Sequence, residues 1–197
     1  TLRKLQPYLA LGEKLGRFAS QLSDGRLAEI RLSFQGEIAG LDCAPLVAAT
    51  VQGVLSPMHD HVNMVNALPI AKMRGVRIVE SKTTELTDFA SLISVSLSTD
   101  RHRNAVAGTL FNLADPRLVE IDGFRVEAVL DGFMLIYSNL DVPGVIGRIG
   151  TLLGQHGVNI GGMQLGRQKR GGRAIAVVNV DDTIPGPVLE EIRRIPN

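Results

Sequence analysis

This sequence has few reactive or aromatic side chains. One cysteine, Cys43, occurs in 197 residues. That excludes a disulfide scaffold, or a thiolate cluster built by one chain, and fits a reducing cytoplasm. Tryptophan is absent and aromatics make up only 4%, so a base-stacking platform is not expected. Basic and acidic residues nearly cancel, 21 against 20, which leaves no global field to attract nucleic acid. No run approaches the ~20 apolar residues of a membrane span, and the opening TLRKLQPYLALGEKLG has no signal-peptide anatomy. It starts without Met and runs directly into a helical pattern, as an excised piece of a longer chain would. Apolar side chain is abundant instead: 45% of residues are hydrophobic, ample for one large core or two small ones.

Periodicity orders the chain. Leu5, Tyr8, Leu9, Leu11, Leu15, Phe18, Ala19 and Leu22 recur at helical spacing over 3–23, and Asp24-Gly25 stops that helix. From Arg26 the period changes to two, with Leu27, Ile30, Leu32 and Phe34, which predicts a strand. Helices are expected over 43–55 and over 60–74, with Asp60 capping the second. Strands are expected at 76–81, 89–98, 103–111, 117–121 and 124–129. The last two are joined by Asp122-Gly123, a strong two-residue hairpin signal. Beyond Gly132 the pattern is strand 133–140, helix 143–156, strand 159–168, a KRGG turn, strand 173–181 and a helix over 187–195. This is β-α-β-β-α, one strand short of the six-element split βαβ pattern. A boundary near 130 divides the chain into 1–130 and 131–197.

Residues 139–160, NLDVPGVIGRIGTLLGQHGVNI, concentrate polar chemistry at the ends of elements. Asp141 stands at, or two residues ahead of, the N-cap position of the helix, and Pro143 suits a first helical position. Gly144 allows close approach to the backbone. Free N–H groups at the helix start favour a carboxylate, while Asp141 favours an ammonium. Asn159, beyond Gly157, offers a donor and an acceptor. Together these groups describe a receptor for a free amino acid. An ordinary capped helix, with Gly157 at its C-terminus, accounts for the same residues.

DVPGVIGRIGTLLGQHGVNIGGMQLGR resembles the ligand segment of ACT domains, small modules that bind amino acids, and in particular that of the D-3-phosphoglycerate dehydrogenase family. SPMHDHVNMVNALPIAKMRGVRIVESK and GTLFNLADPRLVEIDGFRVE resemble the intervening domain of the long form of the same family. The resemblance implies an α+β chain, with a mixed α/β intervening domain followed by a ferredoxin-like (βαββαβ) ACT domain lacking its last strand. It also implies L-serine as a feedback ligand, held between paired ACT domains by Asn139, Asp141 and Asn159, with Pro143, Gly144, Val145 and Ile160 lining the site. Relatives often place an aromatic residue or His where Asn139 stands. Self-association and coupling to the catalytic domains of a parent chain follow from the same resemblance.

An anionic effector in the first domain is a further implication, with Lys72, Arg74, Arg101, Arg103, Arg117 and Arg125 as candidates. A solvated surface needs such charges too, and Phe124 and Val129 are apolar where some relatives are basic. HDH at 59–61 is not read as a metal site, because His59 and His61 diverge on a helix and nothing nearby completes a ligand set. No catalytic triad is discernible. GVIGRIG follows a strand but has no Gly-x-Gly pair, and LALGEKLGRF lies inside a helix. The chain alone is therefore expected to hold no cofactor and to be no enzyme, with NAD belonging to the intact parent. Two other readings are the β-domain and ACT part of an iron–sulfur L-serine dehydratase, and a purely structural assembly module.

Overall fold

The computed structural model describes residues 2–85 and 87–196. The chain falls into two units, Thr1–Gly123 and Phe124–Asn197, and the division lies at the Asp122-Gly123 turn. Both turn residues have positive φ, 47° and 82°, as the tightest hairpin connection demands.

The first unit contains α1 (Leu2–Leu22), β1 (Leu27–Gly36), a 3-10 turn at Glu37–Gly40, α2 (Ala44–Leu55), α3 (Ala67–Met73), β2 (Arg77–Thr83), β3 (Ser91–Thr99), β4 (Arg103–Phe111) and β5 (Asp115–Ile121). Within this unit the strands lie in the order β2-β1-β3-β4-β5. β1 pairs with β2 in parallel and with β3 antiparallel. Alternation along β1 and β3 buries Ile30, Leu32, Phe34, Ile93, Val95 and Leu97 on one face, with Leu11 and Leu15 of α1 also fully buried.

The two glycines of LALGEKLGRF take their meaning from packing. A Cβ on Gly12 would run into the Thr50 hydroxyl, and one on Gly16 into the Thr50 carbonyl. One on Gly53 would strike the Glu13 carbonyl. Three glycines therefore let α1 and α2 meet backbone to backbone. Thr50, fully buried between them, turns its hydroxyl back to the Leu46 carbonyl at 2.7 Å.

The helix expected over 60–74 is shorter. Residues 56–66 form turns, and helix begins at Ala67 with Asn66 at its cap. Asp60 therefore does not cap it. The two asparagines of VNMVNA tie the turn instead. Asn63 Oδ1 accepts from the Val65 and Asn66 N–H groups, Asn66 Oδ1 accepts from Asn63 N–H at 2.7 Å, and Asn66 Nδ2 donates to the His61 carbonyl. Side chains that satisfy the backbone locally compete with helix, which periodicity alone does not register.

The second unit opens with β6 (Phe124–Val129) and continues through β7 (Phe133–Leu140), α4 (Val145–Gln155), β8 (Ile160–Arg167), β9 (Arg173–Val180) and α5 (Gly186–Arg193). From β7 onward this is the expected β-α-β-β-α order. β9 lies between β7 and β8, antiparallel to both. Leu135, Tyr137, Val145, Ile149, Leu153, Val158, Ala176, Val178, Val188 and Ile192 form one core under the two helices. β6 runs against the β8–β9 ribbon: Asn179 Nδ2 donates to the Val129 carbonyl at 2.9 Å, and a Cβ on Gly166 would lie 2.7 Å from the Arg125 carbonyl. No helix in the described residues is long and apolar enough to cross a membrane.

These contacts separate glycines that are required from glycines that are not. Gly16→Ala is expected to cost about 1–3 kcal/mol through overpacking. Gly150→Ala faces open space in α4 and is expected to stabilise by about 0.5–1 kcal/mol through helix propensity. Calorimetric unfolding of the two variants checks this, and equal effects would contradict the packing.

Candidate functional site

The site begins where β7 ends. Asn139 is buried with 5% of its surface exposed, and its Nδ2 donates to the Leu140 carbonyl. After Leu140 the chain turns sharply, the Val142 N–H reaching back to the Leu140 carbonyl at 2.9 Å. α4 then starts at Val145, with Gly144 as its N-cap at φ 94° and no side chain capping it. Asp141 was a candidate for that cap, but Val142, Pro143 and Gly144 hold it away from the helix. Pro143 likewise precedes the cap instead of opening the first turn. The first N–H groups of α4 are left to other partners, and neither Gly144 nor Gly147 has an atom within 4 Å of where a Cβ would sit.

Asp141 is instead bound to the β8–β9 turn. Its Oδ2 accepts from Arg167 Nη1 at 2.6 Å and from the Gly171 N–H at 3.3 Å, and its own N–H donates to the Gly172 carbonyl at 2.8 Å. The Arg167 guanidinium, helped by the Gly171 N–H, holds the carboxyl below the usual carboxylate range. Sequence reading missed Arg167. It is the last residue of β8, and KRGG follows it almost at once, so a strand order placing β9 in the middle would have pointed to it.

Asn159 lies elsewhere. α4 ends in a Schellman motif: the Gly157 N–H (φ 71°) donates to the Gly154 carbonyl at 3.1 Å and the Val158 N–H to the Leu153 carbonyl at 2.9 Å. Asn159 follows, exposed, its Nδ2 donating to Asp181 Oδ2 at 2.7 Å. Leu140 pairs with Arg173 and Ile160 pairs with Val180, so the two ends of the module are seven residues apart along β9. At strand rise that is roughly 23 Å. Within one chain Asn139, Asp141, Pro143, Gly144 and the start of α4 gather at one end, while Asn159 and Ile160 stand at the other. Val145 is buried in the core, and Ile160 packs partly against it.

The six candidate anion residues belong to several elements. Lys72 and Arg74 end α3, exposed. Arg101 pairs with Asp24 at 2.5 Å, and Arg103 donates to Ser98 Oγ at 3.0 Å. Arg117 lies 5.1 Å from the Phe111 ring, its Nε buried without a partner. Arg125 belongs to β6 in the other unit. Among the described residues no group of three or more His, Cys, Asp or Glu side chains converges as metal ligands would.

With this geometry in hand, comparison with known proteins separates the two units again. Residues 4–122 match the D-3-phosphoglycerate dehydrogenase intervening domain, and residues 133–197 match the ACT domain. The whole chain is similar to a D-3-phosphoglycerate dehydrogenase of Methanocaldococcus jannaschii, 36% identical over 197 residues, which cover 37% of that protein. It is similar to those of Synechocystis sp., 35% identical with 98% of this chain and 35% of the relative covered, and of Bacillus subtilis, 32% identical with 98% and 37% covered. The chain thus spans just over a third of the length of these curated relatives, at their C-terminal end.

The Asp141–Arg167 pair has a pH signature. Because the folded-state pKa is lowered, the pair stabilises the turn at and above the ordinary carboxylate range, and this is lost as pH falls through the lowered value. Carboxyl-carbon NMR titration should find Asp141 among the most acidic aspartates, and Arg167→Gln should return it towards normal. A normal titration in the unsubstituted chain would refute the pairing.

Proposed function

The chain belongs to the D-3-phosphoglycerate dehydrogenase intervening-domain family and continues into an ACT domain, and on that premise we propose that it is the serine-sensing regulatory part of such an enzyme. The parent would carry the NAD-dependent catalytic domains, and L-serine would be the feedback inhibitor. What carries this reading is the opposed placement of Asp141 and Asn159. A small amino acid cannot span roughly 23 Å of strand, so the two side chains serve one ligand only if two ACT units pair in opposite senses. Each site then takes Asp141 and the start of α4 from one chain and Asn159 from its partner, a two-fold arrangement that makes two identical sites.

Other features favour such pairing. In the β7-β9-β8 order β7 has an edge without a strand partner among the described residues. Leu140 and Val142, two residues apart at the end of β7, are each about half exposed, apolar surface that a paired module would cover. Asn159 has its Nδ2 committed to Asp181, and its side-chain carbonyl would be the acceptor for an ammonium group. Serine bridging two chains would favour one arrangement of the pair over another, and that difference in affinity is what reaches the catalytic domains. The intervening domain would carry the chain between the two. An anion role for Lys72, Arg74, Arg101, Arg103, Arg117 and Arg125 would have to draw on several separate elements.

Calorimetric titration with L-serine tests the reading. The unsubstituted chain should bind one serine per chain, D-serine should bind far more weakly, and Asp141→Ala and Asn159→Ala should each abolish binding. Mixed in equal amounts, the two variants should regain about a quarter of the sites, because half the dimers are then hybrids with one intact site each. Recovery without mixing, or none with it, would rule out a shared site. No heat up to millimolar serine would rule out the serine reading.

A further inference from the structure

The start of α4 offers backbone N–H groups to the carboxylate of the amino acid, and the Asp141–Arg167 pair sets a side-chain cation at the same end of the module. Residues 139–148 and 167–173 meet at one end of the module and carry five cations, Arg148, Arg167, Lys169, Arg170 and Arg173, against the single carboxylate of Asp141. Of these, Arg167 bonds the Asp141 carboxylate directly. Arg173 is engaged with Ser138 Oγ at 3.1 Å, whereas Arg167 reaches over the start of β9 to Asp141 with 56% of its side chain exposed.

The bonding pattern at the pair is one-sided. Both contacts to the Asp141 carboxyl fall on Oδ2, and Oδ1 makes none among the described residues. Arg167 uses Nη1 for the pair, and its fork has further N–H donors. The pair is therefore a short dipole with an acceptor at one end and donors at the other. A zwitterion laid alongside it head to tail places its ammonium on Asp141 Oδ1 and its carboxylate on the free donors of Arg167. Charge stays balanced and no existing bond has to break. The start of α4, which no side chain caps, follows Asp141 closely in the chain and favours a carboxylate too.

We propose that Arg167 is the carboxylate-binding, specificity-determining residue of the amino-acid site, so that the Asp141–Arg167 pair reads both charged groups of the ligand. This rests on the amino-acid-binding reading above. It adds a selection rule: a ligand must carry both an ammonium and an adjacent carboxylate, and the turn 168–172, tied to Asp141 through Gly171 and Gly172, is held by the same group that reads the ligand.

The test is calorimetry of the chain with L-serine and with serinol, which keeps the ammonium and hydroxyl but lacks the carboxylate. The unsubstituted chain should prefer L-serine strongly. Arg167→Gln should weaken L-serine at least tenfold, leave serinol nearly unchanged and so collapse the preference. Arg167→Lys keeps charge without the planar fork and should fall between; it carries the comparison if the Gln variant fails to fold. If the unsubstituted chain binds L-serine and Arg167→Gln binds it equally or more tightly, Arg167 only occupies Asp141 in the empty site and the assignment is overturned. If the unsubstituted chain binds no serine, the regulatory reading falls and takes this assignment with it.

Discussion

One strand bonded on both edges organises the second unit. β9 pairs with β7 on one side and β8 on the other, so the places where those strands begin and end are measured along it. That constraint puts Asp141 and Arg167 together at one end and Asn159 with Asp181 at the other. It decides which sequence candidates can act together within a chain, and it makes pairing of modules a chemical requirement of a shared site. The burial of β9 is consistent with this role: Ala176, Val177 and Val178 are all inaccessible to solvent. A substitution that shifted its register would move both sites at once.

The first unit depends on a different kind of contact. α1 and α2 approach through Gly12, Gly16 and Gly53 with Thr50 between them, closer than any side chain but glycine allows. Close-packed backbones tolerate little sliding. A helix pair fixed this way makes the core of the first unit rigid. The asparagine-tied turn at 61–66 is a second rigid feature, and it holds Val65 out with 87% of its surface exposed.

Several charges on the first unit are answered locally. Arg101 meets Asp24, and Arg31 and Arg77 both meet Glu29. Such pairs at a surface contribute little stability. The second unit differs at one end, where the segments 139–148 and 167–173 carry five cations and one carboxylate, and Arg167 bonds Asp141. That local imbalance, invisible in a net charge of +1, is the chemical distinction between the two halves.

Much of this was written in periodicity and punctuation. The change from period 3.6 to period 2 after Asp24-Gly25, the Asp122-Gly123 turn and the β-α-β-β-α order all reflect local rules of backbone and burial that neighbours in the chain enforce. Family membership was legible too, from VNMVNA with AKMRGV and from DVPGVIGRIG with GVNI. Other points were not local. The helix expected from residue 60 lost its first turns to asparagine side chains that bond the backbone. Asp141 proved not to cap α4, because an arginine 26 residues later holds its carboxylate. Arg167 closes the stretch that resembles the ACT ligand segment, but nothing in its spacing singled it out. Its role exists only because β9 inserts between β7 and β8, and strand order is settled by packing across the whole sheet, which no short stretch of sequence encodes.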